Sequence, residues 1–294
     1  MDLLSIDDLT DAHIAGLLDS ADKFAAANRV GRHFDTLAGC IVFNVFYENS
    51  TRTAMSFAAA AAHLGAQPLT LSVEHSSVKK GETLDDTVRT LDAMRPDVVV
   101  LRHREEGAVA HAAALMRCPV INAGDGTNEH PTQALLDALT LRQRFGSLDG
   151  LQVAILGDVR HSRVARSNAK LLPRLGATVR LAGPPPLGEG SIEEALVGAD
   201  AVMMLRIQRE RLDDELGDAP GEYLARYGLT MERLAMASKD AVVLHPGPMN
   251  RGVEISGEVA DLADRSLILR QVENGVAIRM ACLEFLTADR RTQA

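Results

Sequence analysis

The stretch CIVFNVFYENSTRT (residues 40–53) sets an unbroken apolar run directly before a polar segment. The run CIVFNVF (40–46) predicts a buried strand, and the pattern from about Thr53 predicts a helix. Between them, Ser50–Thr53 offers three hydroxyls and one guanidinium. A buried strand that leads through a polar turn into a helix is the repeating unit of a parallel sheet covered by helices.

The same alternation continues along most of the chain. Further strands are predicted at 67–72, 97–102, 119–124, 151–158, 178–183, 201–206 and 240–248. Further helices are predicted at 83–95, 107–116, 131–146, 163–174, 191–197 and about 267–286. An SLDG break after residue 146 separates two such alternations. The sequence therefore predicts an α/β protein with two parallel-sheet domains.

The domain boundaries follow from this break. The predicted first domain covers residues 1–135, and the second covers residues 147–265. Residues 131–146 form one predicted helix, since the segment begins with a proline and ends at a glycine. This helix connects the two domains. The C-terminal segment 267–290 is expected to pack back on the first domain.

The composition excludes several classes of function. Hydrophobic residues make up 46% and charged residues 24% of the 294 residues, which is typical of a globular enzyme. The net charge of -9 and the absence of Trp argue against a nucleic-acid surface. No apolar run is long enough to span a bilayer, and the acidic, amphipathic N-terminus is unlike a signal or transit peptide. We therefore expect a cytoplasmic protein with no membrane and no nucleic-acid partner.

The cysteines offer no site chemistry. Cys40, Cys118 and Cys282 are far apart and lie in apolar runs, so no metal-binding spacing connects them. We expect buried free thiols and no bound metal. No Ser/His/Asp set, Cys/His pair or carboxylate pair stands out either, so substrate positioning and charge stabilisation are the expected chemistry.

The NSTRT segment (49–53) indicates an anion site. Backbone N–H groups and the positive end of the helix dipole favour an anion at a helix N-terminus. Ser50, Thr51 and Thr53 add hydroxyl donors, and Arg52 can contact two oxygens at once. A capping hydroxyl beside a surface arginine is the alternative. Because an arginine lies inside the cap, an oxyanion site, most simply for phosphate, is the favoured interpretation.

The SSVKKGETLDDT loop (76–87) carries Ser76, Lys79 and Lys80 before a glycine. A flexible, cationic loop could close over an anion. A solvated loop with a capping box at Thr83 explains the same pattern. On this segment alone, the solvated loop is the favoured interpretation.

The loop NAGDGTNEHPTQALLD (122–137) brings His130 to the start of a helix that Pro131 opens. The helix dipole favours a neutral imidazole there, and its N–H can polarise a carbonyl without losing a proton. A histidine that only caps the helix is an equal alternative. Arg102 ends a predicted strand, a position where ligands bind in parallel sheets.

Polar groups also follow three strands in the second half. The segment GDVRHSRVARSN (157–168) lacks the glycine spacing of a dinucleotide fingerprint, so NAD binding is disfavoured. It supplies Arg160, Arg163 and Arg166. Arg206 and Gln208 follow a second strand, and HPGPMNRG (245–252) follows a third. Ligands bind at the carboxyl ends of parallel strands, and the groups at these three ends are cationic or polar. Small and multiply anionic substrates are therefore indicated.

Taken together, seven motifs resemble those of the aspartate carbamoyltransferase family in order and spacing. They are FYENSTRT, SSVKKGET, RH, HPTQALLD, GDVRHSRVARS, LRIQRER and HPGPMNRGVEI, and they span nearly the whole chain. The resemblance implies a carbamoyltransferase-like fold of two parallel-sheet α/β domains joined by interdomain helices. Carbamoyl phosphate would bind to the first domain and L-aspartate to the second. The implied reaction gives N-carbamoyl-L-aspartate and phosphate in pyrimidine (UMP) synthesis, with no cofactor.

The resemblance also implies a set of residues for carbamoyl phosphate. They are Ser50, Thr51, Arg52, Thr53, Arg102, His130, Gln133, Gly247 and Pro248. The first four would hold the phosphate, and Arg102 would bridge the phosphate and the carbonyl. His130 with Thr53 would polarise the carbamoyl oxygen. Gln133 would hold the carbamoyl NH2 group, helped by the Gly247–Pro248 backbone, whose peptide bond is cis in the family.

For aspartate, the resemblance implies Lys80, Arg163, Arg206 and Gln208. Arg163 and Arg206 would bind the two carboxylates, with Gln208 beside them. Lys80 and Ser76 would reach in from a neighbouring subunit, since the family's catalytic unit is a trimer with sites at its interfaces. The implied catalytic set is Arg52, Thr53, Lys80, Arg102 and His130. A homotrimer is therefore expected, and a larger assembly with regulatory or dihydroorotase-like chains is left open.

Two features depart from the family pattern. Ala54 stands where the motif usually continues STRTR, and the loss of that cation bears on affinity rather than on the reaction. The stretch GPPPLGEG (183–190) is shorter than usual. Together with 212–229, it is rich in turn formers or charge and is predicted to be the least regular part of the chain.

Two other functions fit the sequence less well. An ornithine carbamoyltransferase needs acidic groups for its substrate and, in the family, a cysteine near the HPGP position, which this sequence lacks. A non-catalytic relative that serves as a scaffold would be expected to lose site residues. This chain retains Arg52, Lys80, Arg102, His130, Arg163 and Arg206. The sequence therefore predicts carbamoyl transfer to aspartate.

Overall fold

The computed structural model describes residues 1–72, 81–207, 216 and 221–288. The chain divides into two compact units, of which the first is Met1–Leu139 with Val272–Ala294 and the second is Thr140–Gln271. The described part of each unit contains a four-stranded parallel sheet. The predicted α/β class with two parallel sheets is confirmed.

The first half of the chain alternates between strands and helices after a short 3-10 helix, Ile6–Asp8. Its elements are α1 (Asp11–Arg29), β1 (Ile41–Phe46), α2 (Thr51–His63), β2 (Gln67–Ser72), α3 (Leu84–Ala93), β3 (Val98–His103), α4 (Ala108–Ala113), β4 (Val120–Asp125) and α5 (Pro131–Phe145). Every strand and helix predicted in this half is present, with ends that differ by a few residues.

The second half continues the alternation. Its elements are β5 (Gln152–Leu156), α6 (Arg163–Arg174), β6 (Thr178–Ala182), α7 (Ile192–Leu196), β7 (Ala201–Met204), α8 (Glu222–Tyr227), α9 (Met231–Leu234), β8 (Val242–Leu244), α10 (Gly257–Ala260) and α11 (Ile268–Leu286). The strand predicted at 240–248 is shorter than expected, because the chain turns away from the sheet after Leu244.

The sheet of the first unit has the strand order β2-β1-β3-β4. Its inner strands are almost wholly apolar and buried, and Val45, Leu101 and Val109 lie in one core cluster with residues of α3 and α4. In the register of β1 and β3, Phe46 pairs with Arg102. The segment that follows β1 and the end of β3 therefore lie side by side at the carboxyl end of the sheet.

The sheet of the second unit has the order β6-β5-β7-β8. Leu156 pairs with Met204 in the register of β5 and β7. The next amide, that of Leu205, donates to the carbonyl oxygen of Leu156 at 2.8 Å. The segments that carry Arg163 and Arg206 therefore leave neighbouring strands of this sheet.

The stretch predicted to be least regular, 212–229, contains α8, so that expectation is wrong for residues 222–227. A six-residue helix is not stable alone, and its support here is tertiary. Tyr223 is buried beside Leu216 and Ile207. The stretch 183–190 has no helix or strand, as predicted, but Gly183, Pro184, Leu187 and Gly188 are buried.

Arg233 closes the C-terminal end of α8. Its Nη1 donates to the carbonyl oxygens of Leu224 and Gly228 at 3.1 and 2.9 Å. Its Nη2 donates to those of Ala225 and Arg226 at 3.0 and 2.6 Å. A cation at a helix C-terminus satisfies the last carbonyl groups and complements the helix dipole.

We expect Arg233→Ala to lower the free energy of unfolding by about 2 kcal/mol, because charge-assisted hydrogen bonds to partly buried carbonyls are lost. Urea unfolding followed by circular dichroism measures this change. Arg226→Ala is the matched control, since its side chain is 38% exposed and it pairs with Glu222. Equal losses in the two variants would contradict the assignment of this role to Arg233.

The described helices include none that is long and apolar enough to cross a membrane. The cysteines are free thiols; Cys118 and Cys282 are buried as predicted, whereas Cys40 is half-buried. Burial raises the pKa of the Cys282 thiol to about 12.

Candidate active site

The segment between β1 and α2 has the form of an anion cradle. Ser50 holds the N-cap position of α2, but its side chain makes no hydrogen bond to the helix backbone. Its hydroxyl donates instead to Oγ1 of the buried Thr53 at 2.9 Å. Thr51 and Arg52 are exposed at the first helical positions.

Ser50 therefore does not form the side-chain cap of the alternative interpretation. The reason is its backbone conformation, φ -155° and ψ 86°. Thr83, which does cap α3 by accepting from the Asp86 amide, has φ -76° and ψ 163°. The hydroxyl of Ser50 is thus turned away from the first-turn amides, which the simple capping alternative would have occupied.

Arg102 is held firmly at the end of β3. The residue is only 8% exposed. Its Nη2 donates to Oε1 of Glu48 at 2.8 Å, and its Nη1 donates to the carbonyl oxygen of Ala123 at 3.2 Å. These contacts fix the plane of the guanidinium beside the segment that leads into α2. Glu48 was not identified from the sequence, because nothing in the local sequence around an acid in a turn indicates a partner 54 residues away.

His103, the next residue, is buried against the ring of Tyr47, with the ring centroids 4.9 Å apart. Burial lowers the pKa of His103. Its Nδ1 accepts a hydrogen bond from the Glu105 amide at 3.0 Å. The imidazole is therefore neutral at pH 7 and does not add a second cation beside Arg102.

The loop before α5 is rigid because two buried acids organise it. Asp125 accepts hydrogen bonds from the Gly107 amide and from Nδ2 of Asn122. Glu129 accepts from the Ile6 amide at 3.0 Å and from the Ser5 hydroxyl. These contacts tie the loop to the start of α4, to β4 and to the N-terminus, and they set the position of the residue that follows, His130.

His130 and Gln133 lie at the start of α5, and both are buried. The His130 carbonyl oxygen accepts from the Gln133 amide at 2.9 Å. The Gln133 side chain donates through Nε2 to Oδ1 of Asp137 at 2.9 Å. Since a glutamine amide has one NH2 group and one oxygen, this contact leaves Oε1 as the acceptor for another group.

Asp137 was missed in the sequence, although its spacing from Gln133 could have revealed it, because residues four apart share a helix face. It is fully buried and interacts with the cation of Arg279, whose guanidinium lies 5.0 Å from the centroid of the Phe57 ring. Burial lowers the pKa of Arg279 to about 10, so the group stays charged at neutral pH.

In the second unit, Arg163 is the first residue of α6, directly after the capping Ser162. Arg163 is half-buried, whereas Arg160 and Arg166 are exposed. Arg160 lies 3.9 Å from Glu189. Arg206 is exposed just beyond β7. The structure therefore keeps Arg163 and Arg206 at neighbouring strand ends of one sheet.

The HPGP segment turns sharply after β8. The Gly247–Pro248 peptide bond is cis, as the resemblance implied. Gly247 has φ +68°, in the left-handed region that glycine adopts readily. Its amide donates to Nδ1 of the buried His245 at 2.8 Å. The turn is thus supported by its own first residue.

Three of the predicted site residues, Ser76, Lys80 and Gln208, lie outside the described residues, as does Lys79. Ala54 lies in the first turn of α2 and is half-buried. In the ranges that the structure describes, no three His, Cys, Asp or Glu side chains are grouped so that they could hold a metal ion.

Comparison with known families gives two matches along the chain. Residues 1–143 match the family described as aspartate/ornithine carbamoyltransferase, carbamoyl-P binding domain. Residues 187–286 match the family described as aspartate/ornithine carbamoyltransferase, Asp/Orn binding domain.

Similar curated proteins are aspartate carbamoyltransferase catalytic subunits. That of Rhizorhabdus wittichii is 55% identical over 287 residues, covering 94% of this chain and 91% of the relative. That of Rhodospirillum rubrum is 53% identical over 299 residues, covering 98% and 94%.

Solved structures give the same similarity. Aspartate transcarbamoylase from Trypanosoma cruzi in complex with carbamoyl phosphate has a TM-score of 0.84 at 32% identity, covering 96% of this chain and 95% of that chain. The catalytic subunit of M. jannaschii aspartate transcarbamoylase has a TM-score of 0.83 at 33% identity and covers 99% of both.

Proposed function

This chain belongs to the aspartate/ornithine carbamoyltransferase family, and from that premise we propose how its residues carry out the reaction. The chain is a carbamoyltransferase that uses carbamoyl phosphate and L-aspartate and gives N-carbamoyl-L-aspartate and phosphate. The reaction belongs to pyrimidine (UMP) biosynthesis. A cytoplasmic location is part of the same proposal.

The choice of aspartate over ornithine rests on one observation. Relatives that are 50–55% identical over nearly the whole chain are aspartate carbamoyltransferase catalytic subunits. The charges of the second unit support it, because two arginines stand at the ends of β5 and β7. Glu254, the first acid after the HPGP turn in sequence, is buried against His245. A substrate with a second carboxylate fits these groups better than one with a side-chain cation.

The first unit is assigned the binding of carbamoyl phosphate. Ser50, Thr51, Arg52 and Thr53 would hold the phosphate at the start of α2, where amide groups and the helix dipole favour an anion. The absence of a side-chain cap from Ser50 supports this assignment. Arg102, fixed by Glu48, would contact both the phosphate and the carbamoyl carbonyl.

The chemical step needs donors where charge develops. As the aspartate amine attacks the carbonyl carbon, negative charge grows on the carbonyl oxygen. The bond from that carbon to the phosphate oxygen then breaks, and a proton passes from the amine to the departing phosphate. His130, Thr53 and Arg102 are the proposed donors to this oxygen. The Oε1 atom of Gln133, left as an acceptor by the contact to Asp137, would accept from the carbamoyl NH2 group.

In the second unit, Arg163 and Arg206 would bind the two carboxylates of aspartate, and Gln208 would assist them. The backbone of Gly247 and Pro248 would help hold the carbamoyl NH2 group. Lys80 and Ser76 are proposed to act from a neighbouring subunit of a homotrimer. Light scattering of the purified chain would test the trimer. Association with regulatory chains is a further proposal, supported by the relatives' description as catalytic subunits, and dihydroorotase-like chains are the alternative partner.

We expect the purified chain to consume carbamoyl phosphate with L-aspartate and not with L-ornithine. Phosphate release and chromatography of the carbamoylated product measure both reactions. Arg206→Ala is expected to raise KM for aspartate at least about tenfold, because a charge-assisted contact is lost. Arg160→Ala, with a solvent-exposed guanidinium near Glu189, is the control. Turnover with ornithine in place of aspartate would overturn the proposed substrate.

A further inference from the structure

A buried carboxylate, Glu254, connects the HPGP turn to the segment that carries Arg206. The side chains of Glu254 and His245 are both fully buried. Oε1 of Glu254 accepts from Nε2 of His245 at 3.1 Å and from the Asn250 amide in a short contact. Its Oε2 faces the Ile207 amide at 3.5 Å. One side chain thus meets donors from two separate segments.

Asn250 adds a second link between the same segments. Its Nδ2 donates to the carbonyl oxygen of Ile207 at 2.8 Å. Ile207 is therefore engaged through both its amide and its carbonyl group, and it lies directly after Arg206. The backbone on which Arg206 stands is consequently fixed by residues of the 250–254 segment.

The hydrogen bonds of His245 define its tautomer. The Gly247 amide can only donate, so Nδ1 of His245, at 2.8 Å, must accept and carries no proton. The neutral ring then has its proton on Nε2, which faces the carboxylate of Glu254. Glu254 stabilises this tautomer, and the tautomer in turn provides the acceptor for Gly247.

We propose that Glu254 and His245 are positioning residues for carbamoyl transfer, which hold the Gly247–Pro248 backbone and the Arg206 backbone in the arrangement that binds substrate. Neither side chain touches substrate itself. The inference rests on the proposed function, in which Gly247, Pro248 and Arg206 contact the two substrates. The inference predicts that the contact between His245 and Gly247 affects the binding of carbamoyl phosphate. It predicts that the contacts to Ile207 affect the binding of aspartate.

A carboxylate is needed at position 254 because three donors converge on it. Glutamine offers only one oxygen, and its NH2 group would meet an N–H donor at one of the positions. If the oxygen remains on His245 and Asn250, the NH2 group meets the Ile207 amide. The segment of Arg206 is therefore the part that Glu254→Gln loosens.

The first test compares two replacements of His245 that each keep one of its two contacts. The amide oxygen of asparagine can take the place of Nδ1 and accept from Gly247. The amide nitrogen of glutamine can take the place of Nε2 and donate to Glu254, but it leaves the Gly247 amide without its acceptor. We expect His245→Gln to raise KM for carbamoyl phosphate about tenfold more than His245→Asn does.

The second test uses Glu254→Gln and Asn250→Ala, which both act on Ile207. Each is expected to raise KM for aspartate several-fold, up to about tenfold, with a much smaller change in KM for carbamoyl phosphate. Glu193→Gln is the control. The Glu193 side chain is 49% exposed and pairs with Arg233, so this variant should leave both KM values unchanged. Asn250→Ala removes only the carboxamide of a half-buried side chain, so this variant keeps the test valid if the buried variants fail to fold.

The outcomes separate the inference from the function on which it rests. A wild-type chain that does not carbamoylate aspartate overturns the proposed function and this inference with it. An active wild type whose His245 variants change both KM values equally, or whose Asn250→Ala variant leaves KM for aspartate unchanged, overturns the inference alone. The expected crossed pattern, with one substrate affected by each pair of variants, supports it, because general destabilisation would not sort by substrate.

Discussion

Replacing His130 with alanine is expected to lower kcat about 10²-fold, because one donor to the developing oxyanion is removed. His130 is 4% exposed and lies at the start of α5, behind a loop that Asp125 and Glu129 hold rigid. A donor that is positioned before the reaction stabilises charge without reorganisation, which is why its loss acts on the transition state. Binding of carbamoyl phosphate is expected to change much less, since the phosphate is assigned to α2.

Steady-state kinetics with aspartate saturating, together with a binding titration for carbamoyl phosphate, separate these effects. His111→Ala is the matched control, because His111 is exposed in the same unit and pairs with Asp85 at 2.7 Å. An unchanged kcat in His130→Ala would remove His130 from the chemistry. A loss of affinity for carbamoyl phosphate as large as the loss of kcat would instead assign His130 to ground-state binding.

Gly183→Ala is expected to destabilise the protein by about 3 kcal/mol or more, since the new methyl group has no space. A Cβ atom at this position would lie 2.0 Å from the carbonyl oxygen of Gly157. That atom belongs to the backbone at the end of β5, so no side-chain rotation relieves the contact. Gly157 itself has φ +119°, and even a Cβ atom on it would lie 3.2 Å from the carbonyl oxygen of Leu205, so the surrounding backbone leaves it little freedom to move.

Chemical unfolding of Gly183→Ala and of a matched glycine variant measures this effect. Gly257→Ala lies in the same unit, and its Cβ would meet Arg251 at an ordinary 3.6 Å. We expect that control to unfold as the wild type does, within about 0.5 kcal/mol. Equal stability of the two variants would show that the backbone near β5 can shift freely. It would also weaken the view that the 183–190 stretch is a packed part of the unit.

Local sequence information was sufficient wherever a single periodicity decided the outcome. The strands at 41–46 and 98–103 and the helix at 131–145 were all predicted close to their observed bounds. Strands buried on both faces have continuous apolar runs, and α5 has a proline at its first position and a glycine after its last. The helix at 222–227 was missed because its support comes from Arg233, which sequence periodicity does not report.

The side-chain partners of the candidate site divide in the same way. The pair of Gln133 and Asp137 lies four residues apart on one helix, so its spacing could have predicted the contact. Arg102 and Glu48 are 54 residues apart, and no local pattern connects them. Ser50 had the right residue type for a helix cap, yet its ψ of 86° sends the hydroxyl elsewhere. A residue type states which contacts are possible, whereas the backbone decides which one forms.

The sequence by itself determined the strand–helix alternation, the cations and hydroxyls at the strand ends and the pattern that resembles a carbamoyltransferase. Only the tertiary structure decided the strand orders β2-β1-β3-β4 and β6-β5-β7-β8. Those orders bring Arg102 beside the segment after β1 and bring the segments of Arg163 and Arg206 to neighbouring strands. The tertiary structure also decided that Glu254 meets His245 and Ile207. The physical reason is that periodicity and capping are set by neighbours along the chain, whereas buried polar groups must find partners wherever packing brings them together.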